Sequence, residues 1–425
     1  MLSVNNMESH CIRSSELPHT SELYSSYLDD FPRVARFYAH APSEEGLRDA
    51  AREVHFDAAT RAAVVEILRE QNAGFGADGT TSHNLDRLAA GALAVVTGQQ
   101  VGLFGGPALS FYKALSALRI AQHLTETGIE AVPVFWVASE DHDLAEVNHT
   151  YWLGEGSRLE CIELSAPLEG AGRSVGEVPL GPEVAAHVRR AVEDLAGPGA
   201  QEIAAALSAA YRPQNTYGSA FGLLMARLLA GRGLILLDPM NPRLHRLGTD
   251  IYRRALAQSG ELTKALLARG KELERAGFHS QVKITERSTL LFIREDSRRV
   301  AVRRGNEGFI AGHESFSGRE GQAAVETAPE RFSANVLLRP VLQDALLPTA
   351  AYVAGPAETA YFAQAEVIYR AVLRRMPVIL PRAGFTLLEP PVARILKKYG
   401  LEFAEILRGR QHVRRKMERM FLSAG

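Results

Sequence analysis

The 425-residue chain is 46% hydrophobic and 23% charged, an ordinary globular composition that excludes disordered and collagen-like sequence. Its 48 Lys+Arg and 49 Asp+Glu leave a formal net charge of -1, so no global basic field invites nucleic acid or an anionic membrane. Cys11 and Cys161 are too few for a zinc cage and read as free thiols of a reducing cytoplasm.

Met1 to His10 lacks the basic and apolar regions of a signal peptide. The first ninety residues read as helices, with a capped start at Leu17–Leu23 and an apolar stripe at helical spacing from Ala50 to Arg69. A polar break from Gly74 to Ser82 follows. Leu88 to Tyr112 then runs without a charge, but Gln99-Gln100 and Gly105-Gly106-Pro107 would leave backbone groups unpaired in lipid. This stretch reads instead as a buried strand (Ala92–Thr97), a glycine-rich loop and a helix opened by Pro107, with Leu109, Tyr112, Leu115 and Leu118 on one face. Val132–Ala138 is a second buried strand, completing a strand–loop–helix–strand unit of a parallel sheet. Leu234–Pro239 and Pro377–Pro381 add apolar runs stopped by proline. Between them, 159–182 reads as strands and turns and 182–211 as helical. Val282–Ile284, Leu290–Ile293 and Val300–Val302 read as an antiparallel meander. Ile395 to Met420 is a charged helical pattern whose basic cluster, Arg408 to Arg419, reads as a solvated face.

The expected architecture is an α/β core interrupted by two insertions. Its segments are a helical stretch (1–90), the core in three parts (91–155, 214–255, 333–393), the insertions (156–213, 256–332) and a C-terminal helical start (394–425).

Three clusters carry chemistry. Gly98, Gly102, Gly105 and Gly106 let backbone approach a ligand where a helix N-terminus offers free N–H groups, and Lys113 leans back toward that loop. The spacing matches neither a Walker A motif nor a dinucleotide fingerprint. Ser139-Glu140-Asp141-His142-Asp143 sets three carboxylates around a histidine at the end of a buried strand. There His142 suits a general base, and Asp141 or Asp143 suits nucleotide-bound Mg²⁺. No third ligand accompanies His142 and His149, so no dedicated metal site is expected. In the third cluster, Arg339, Gln343 and Asp344 precede a strand that ends at Gly355-Pro356. Arg339 suits carboxylate or phosphate capture, or a buried pair with Asp344.

Val96–Pro107, Phe135–Asp143, Leu338–Asp344, Tyr352–Glu358 and Phe385–Pro390 occur in this order in one bacterial family, and from about Leu17 onward the chain resembles the cysteine-adding enzymes of bacillithiol biosynthesis. The resemblance implies a Rossmann-like core akin to class I aminoacyl-tRNA synthetases, with two connecting-peptide insertions. It also implies that L-cysteine is joined through its carboxyl to the amine of glucosaminyl-malate in the cytoplasm. Family members continue into a coiled coil that forms a homodimer; this chain is expected to hold only its start. Within the resemblance, His142, Asp141, Asp143 and Lys113 are the catalytic candidates. Gln99, Gln100, Arg339, Gln343, Asp344, Tyr352 and Glu358 are the substrate-binding ones, and the four loop glycines would hold the cofactor, ATP with Mg²⁺. Neither His-x-Gly-His nor Lys-Met-Ser-Lys-Ser occurs, so nucleotide activation rests on analogy of fold. A non-catalytic nucleotide- or sugar-binding partner and a sugar-nucleotide transferase are the alternatives.

Overall fold

The computed structural model describes residues 9–154, 158–165, 172–195 and 197–422. Twelve strands occur among them: β1 Leu93–Gln100, β2 Ala131–Ala138, β3 His149–Leu153, β4 Leu159–Glu163, β5 Ile235–Leu237, β6 Ser288–Glu295, β7 Arg298–Arg304, β8 Phe309–Ala311, β9 Glu314–Phe316, β10 Phe332–Ala334, β11 Thr349–Ala354 and β12 Val378–Pro381. One sheet runs β12-β11-β1-β2-β5, and every neighbouring pair in it is parallel. Such strands are covered on both faces, which is why they read in sequence as unbroken apolar runs. Alternate side chains of β2 serve different cores: Val134 and Trp136 join one apolar cluster, Phe135 and Val137 another.

The helix Ala108–Glu126 follows the glycine-rich loop and ends just before Gly128, whose φ is 90°. The face that carries Leu109 and Leu115 is not its buried one. Leu109 and Leu115 are exposed, while Ser110, Lys113, Ala114, Ala117 and Ala121 face inward. Small side chains on that face let the helix lie close to the sheet.

Other expectations are corrected. The stripe from Ala50 to Arg69 is two helices, Glu44–Glu53 and Ala58–Gly74, because Asp57 caps the second by accepting from Thr60 N at 2.7 Å. Val282–Ile284 is no strand: its backbone is satisfied by Gln364, whose amide accepts from Val282 N at 2.8 Å and donates to Val282 O at 3.0 Å. The second sheet starts at Ser288 and runs β10-β6-β7-β8-β9. The C-terminal pattern is three short helices, Pro390–Lys398, Phe403–Leu407 and Arg410–Leu422, interrupted where Gly400 and Gly409 take φ of 57° and 93°. Among the described residues, no helix is long and apolar enough to cross a membrane.

Candidate active site

Chain order reverses between β1 and β11: β2 and β5 extend the sheet on one side of β1, β11 and β12 on the other. At such a switch point the loops beyond the strand ends diverge and leave a crevice, the ordinary ligand site of an open parallel sheet. Four stretches border it: the loop after β1, Ser139–Asp143 after β2, Gly355-Pro356 after β11 and Arg382 after β12.

The loop after β1 is held tightly. An added Cβ on Gly102 would stand 2.7 Å from the Gly106 Cα, and Gly106 itself has φ 68°. Tyr211 ties the loop down, accepting from Gly105 N at 3.0 Å and donating to Gly102 O at 3.3 Å. The N–H groups of Gly102, Leu103 and Gly106 bond to Gln100 O, Val147 O and Leu103 O. The glycine amides are thus spent inside the protein, and the donors left for an anion are those of the first turn of helix Ala108–Glu126. Ser110 in that turn is fully buried. Its hydroxyl has no partner and lies 3.5 Å from where a Gly106 Cβ would stand.

Lys113 reaches back as its helical position dictates. Its Nζ donates to Gly98 O and Gln99 Oε1, both at 2.8 Å, and pairs with Glu358 Oε2 at 2.5 Å. Burial pushes the Lys113 pKa below the usual lysine range; Glu358 opposes that shift, while Arg339 and Arg382 add to it. Glu358 also accepts from Gly355 N at 2.6 Å and from the Tyr352 hydroxyl at 2.8 Å. Arg339 stands behind this pair, donating to Tyr361 at 2.9 Å, Gln343 at 3.0 Å and Tyr352 at 3.3 Å. Its guanidinium also faces the Trp136 ring at 5.9 Å.

Arg339 and Asp344 do not pair. Asp344 is fully buried, accepting from Tyr369 at 2.5 Å and from Gln343 Nε2 at 2.9 Å. Burial raises its carboxyl pKa, with nearby Arg375 working against that rise. Gln343 and Asp344 therefore brace Arg339 from behind; their polar atoms turn inward.

On the other flank, the Asp141 Oδ1 lies 3.6 Å from His142 Nδ1 and accepts from the His142 backbone N–H at 2.7 Å. The Nδ1 atom is buried without a hydrogen-bond partner, and the ring packs on Phe292 of β6 with centroids 5.8 Å apart. Gln100 Nε2 donates to Asp141 Oδ2 at 2.8 Å and also to Glu146. Asp143 is exposed. Gln99 and Gln100, consecutive residues whose side chains leave opposite faces of β1, hold Lys113 and Asp141 respectively.

Sequence reasoning missed a buried polar group below Asp141. Glu140 turns inward to His245 Nε2 at 3.5 Å, and His245 Nδ1 meets the Tyr252 hydroxyl at 3.1 Å. Asp238 accepts from the Ser139 hydroxyl at 2.5 Å. Burial raises the pKa of Glu140, with His245 and Arg299 opposing. Arg299 of β7 donates to Ser333 Oγ at 2.9 Å and Ala334 O at 2.6 Å of β10 and stacks on Phe292 of β6, the ring on which His142 packs, and through that ring the second sheet meets this strand end. Of the carboxylates around His142, Glu140 thus belongs to the interior. Among the described residues, no three His, Cys, Asp or Glu side chains are grouped to hold a metal ion.

Fold and site together define a Rossmann-like α/β protein with a charged crevice at its switch point. The family model for the bacillithiol biosynthesis protein BshC, N-terminal Rossmann-like domain, matches residues 7–383, and the chain belongs to this family. A protein of Koribacter versatilis is 44% identical over 400 residues, covering 94% of this chain and 74% of the relative. One of Solibacter usitatus is 38% identical, covering 95% and 74%. One of Symbiobacterium thermophilum is 36% identical, covering 89% and 71%. All three carry the name "Putative cysteine ligase BshC".

Proposed function

We propose that this crevice condenses L-cysteine, through its carboxyl group, with the amine of glucosaminyl-malate to form bacillithiol. A carboxylate is a poor electrophile at neutral pH, so amide formation needs an activated acyl group, an anion site to stabilise it and a base for the attacking ammonium. The observation that carries the reading is the pair of clusters held at the end of β1, one from each of its two faces. One is cationic (Lys113, with Arg339 behind it) and the other an Asp141–His142 pair, and adjacent glutamines hold them.

Lys113 and Arg339 supply positive potential toward developing oxyanion charge. His142 accepts the proton of the attacking ammonium, and Asp141 orients its ring and stabilises the imidazolium. ATP would supply the activation. The exposed first turn of Ala108–Glu126, at Ala108 and Leu109, suits its phosphates. Mg²⁺ would enter with the nucleotide and retain several waters, Asp141 and Asp143 being the crevice carboxylates able to hold it.

Two variants test the roles. His142→Ala is expected to fold normally and lose about 100-fold or more in turnover. Lys113→Ala is expected to lose activity with the circular dichroism of the native fold retained. Wild-type turnover by either folded variant overturns its assignment.

A further inference from the structure

Lys113 has three ammonium donors, and Gly98 O, Gln99 Oε1 and Glu358 Oε2 occupy all three. It adds potential to the crevice but cannot bond a ligand without releasing a partner. Arg339 is committed to Gln343, Tyr352 and Tyr361. A third cation lies at the same edge. Arg382 directly follows β12, and its backbone N–H donates to Ala354 O at 2.9 Å, continuing the β11–β12 pairing.

Its guanidinium fits between two positions that lack side chains. The Nε lies 3.6 Å from where a Gly355 Cβ would stand, with Lys113 Cε 3.9 Å from the same point, and Nη1 lies 3.3 Å from a Gly384 Cβ. Among the described residues its side chain makes one hydrogen bond, Nη1 to Ala383 O at 3.1 Å, and pairs with no carboxylate. An arginine has five donors in a planar fork, so most of this fork is open. Arg339 and Arg382 both repel the Lys113 charge, and among the described residues Glu358 is the one carboxylate paired with it, an excess of positive charge that calls for an anionic ligand.

We infer that Arg382 is the residue that binds the oxyanion of the ligand directly, at the end of β12 beside Gly355. The ligand chemistry is a phosphate or carboxylate held bidentately by the guanidinium, with Lys113 contributing field alone. This rests on the reading of the crevice given above and adds to it the residue that makes the contact.

The test is calorimetric titration of the full chain with inorganic pyrophosphate and, separately, L-malate. Arg382→Gln keeps length and removes charge; Arg382→Lys keeps charge and removes the fork. Because Arg382 makes one internal side-chain bond, both variants should melt close to the wild type. Arg382→Gln is expected to bind one probe at least tenfold more weakly, with Arg382→Lys intermediate. Loss confined to pyrophosphate assigns the contact to nucleotide phosphate; loss confined to malate assigns it to a substrate carboxylate. Wild-type binding that both variants retain in full overturns the role of Arg382 alone. A wild type that binds neither probe overturns the anion crevice as well.

Discussion

Among the described residues, Glu358 is the carboxylate on which the cationic side of the crevice depends. It neutralises Lys113, accepts from Gly355 N and from the Tyr352 hydroxyl, and is itself largely buried. Removing one partner of a buried pair leaves the other charge without compensation, so Glu358→Gln should cost about 3–5 kcal/mol of stability at neutral pH. The sign of the pH dependence follows from Lys113. Its folded pKa already lies below the usual lysine range because of burial, and Glu358 is what opposes that shift. In the variant the folded pKa drops further. The unfolded chain then holds a proton that the folded chain has lost, so stability rises with pH through that window. The deficit measured by urea unfolding should therefore shrink between pH 7 and pH 9.5. An unchanged deficit would mean that Lys113 is not the group left unpaired.

At the scale of elements, the loop after β1 owes its shape to contact between two glycines. Gly102 has an ordinary φ of -61°, so Gly102→Ala strains no dihedral. Its cost is the collision of the new Cβ with the Gly106 backbone, which has no flexible end to move aside. The expected loss is about 1–3 kcal/mol, together with weaker ligand binding as the loop is pushed from Tyr211. Gly74→Ala is the control, since nothing lies within 4 Å of its added Cβ. It should be neutral or stabilising by up to about 1 kcal/mol. Equal melting temperatures for Gly102→Ala and the wild type would refute the packing account.

Over the whole molecule, the parallel sheet was legible because doubly covered strands are written as apolar runs that proline or glycine stops. The motif residues at the ends of β1, β2 and β11 could be placed at one edge for the same reason. What could not be read depended on partners distant in sequence. Gln364 satisfies Val282 and so removes an expected strand; His245 and Arg299 turn Glu140 from a crevice carboxylate into an interior one. The buried face of Ala108–Glu126 is not legible from apolar spacing, because its inward residues are small or charged while Leu109 and Leu115 are exposed. Gly400 and Gly409, by contrast, are breaks in the C-terminal helical pattern that stand in the sequence itself.

The crevice account predicts a bond-forming enzyme at the switch point of this sheet. Its most direct test is mass spectrometry of the protein incubated with L-cysteine, glucosaminyl-malate, Mg²⁺ and ATP. The predicted result is the condensed thiol, formed with stoichiometric AMP or ADP and lost in His142→Ala. Folded protein that consumes neither cysteine nor nucleotide over many hours would contradict the account.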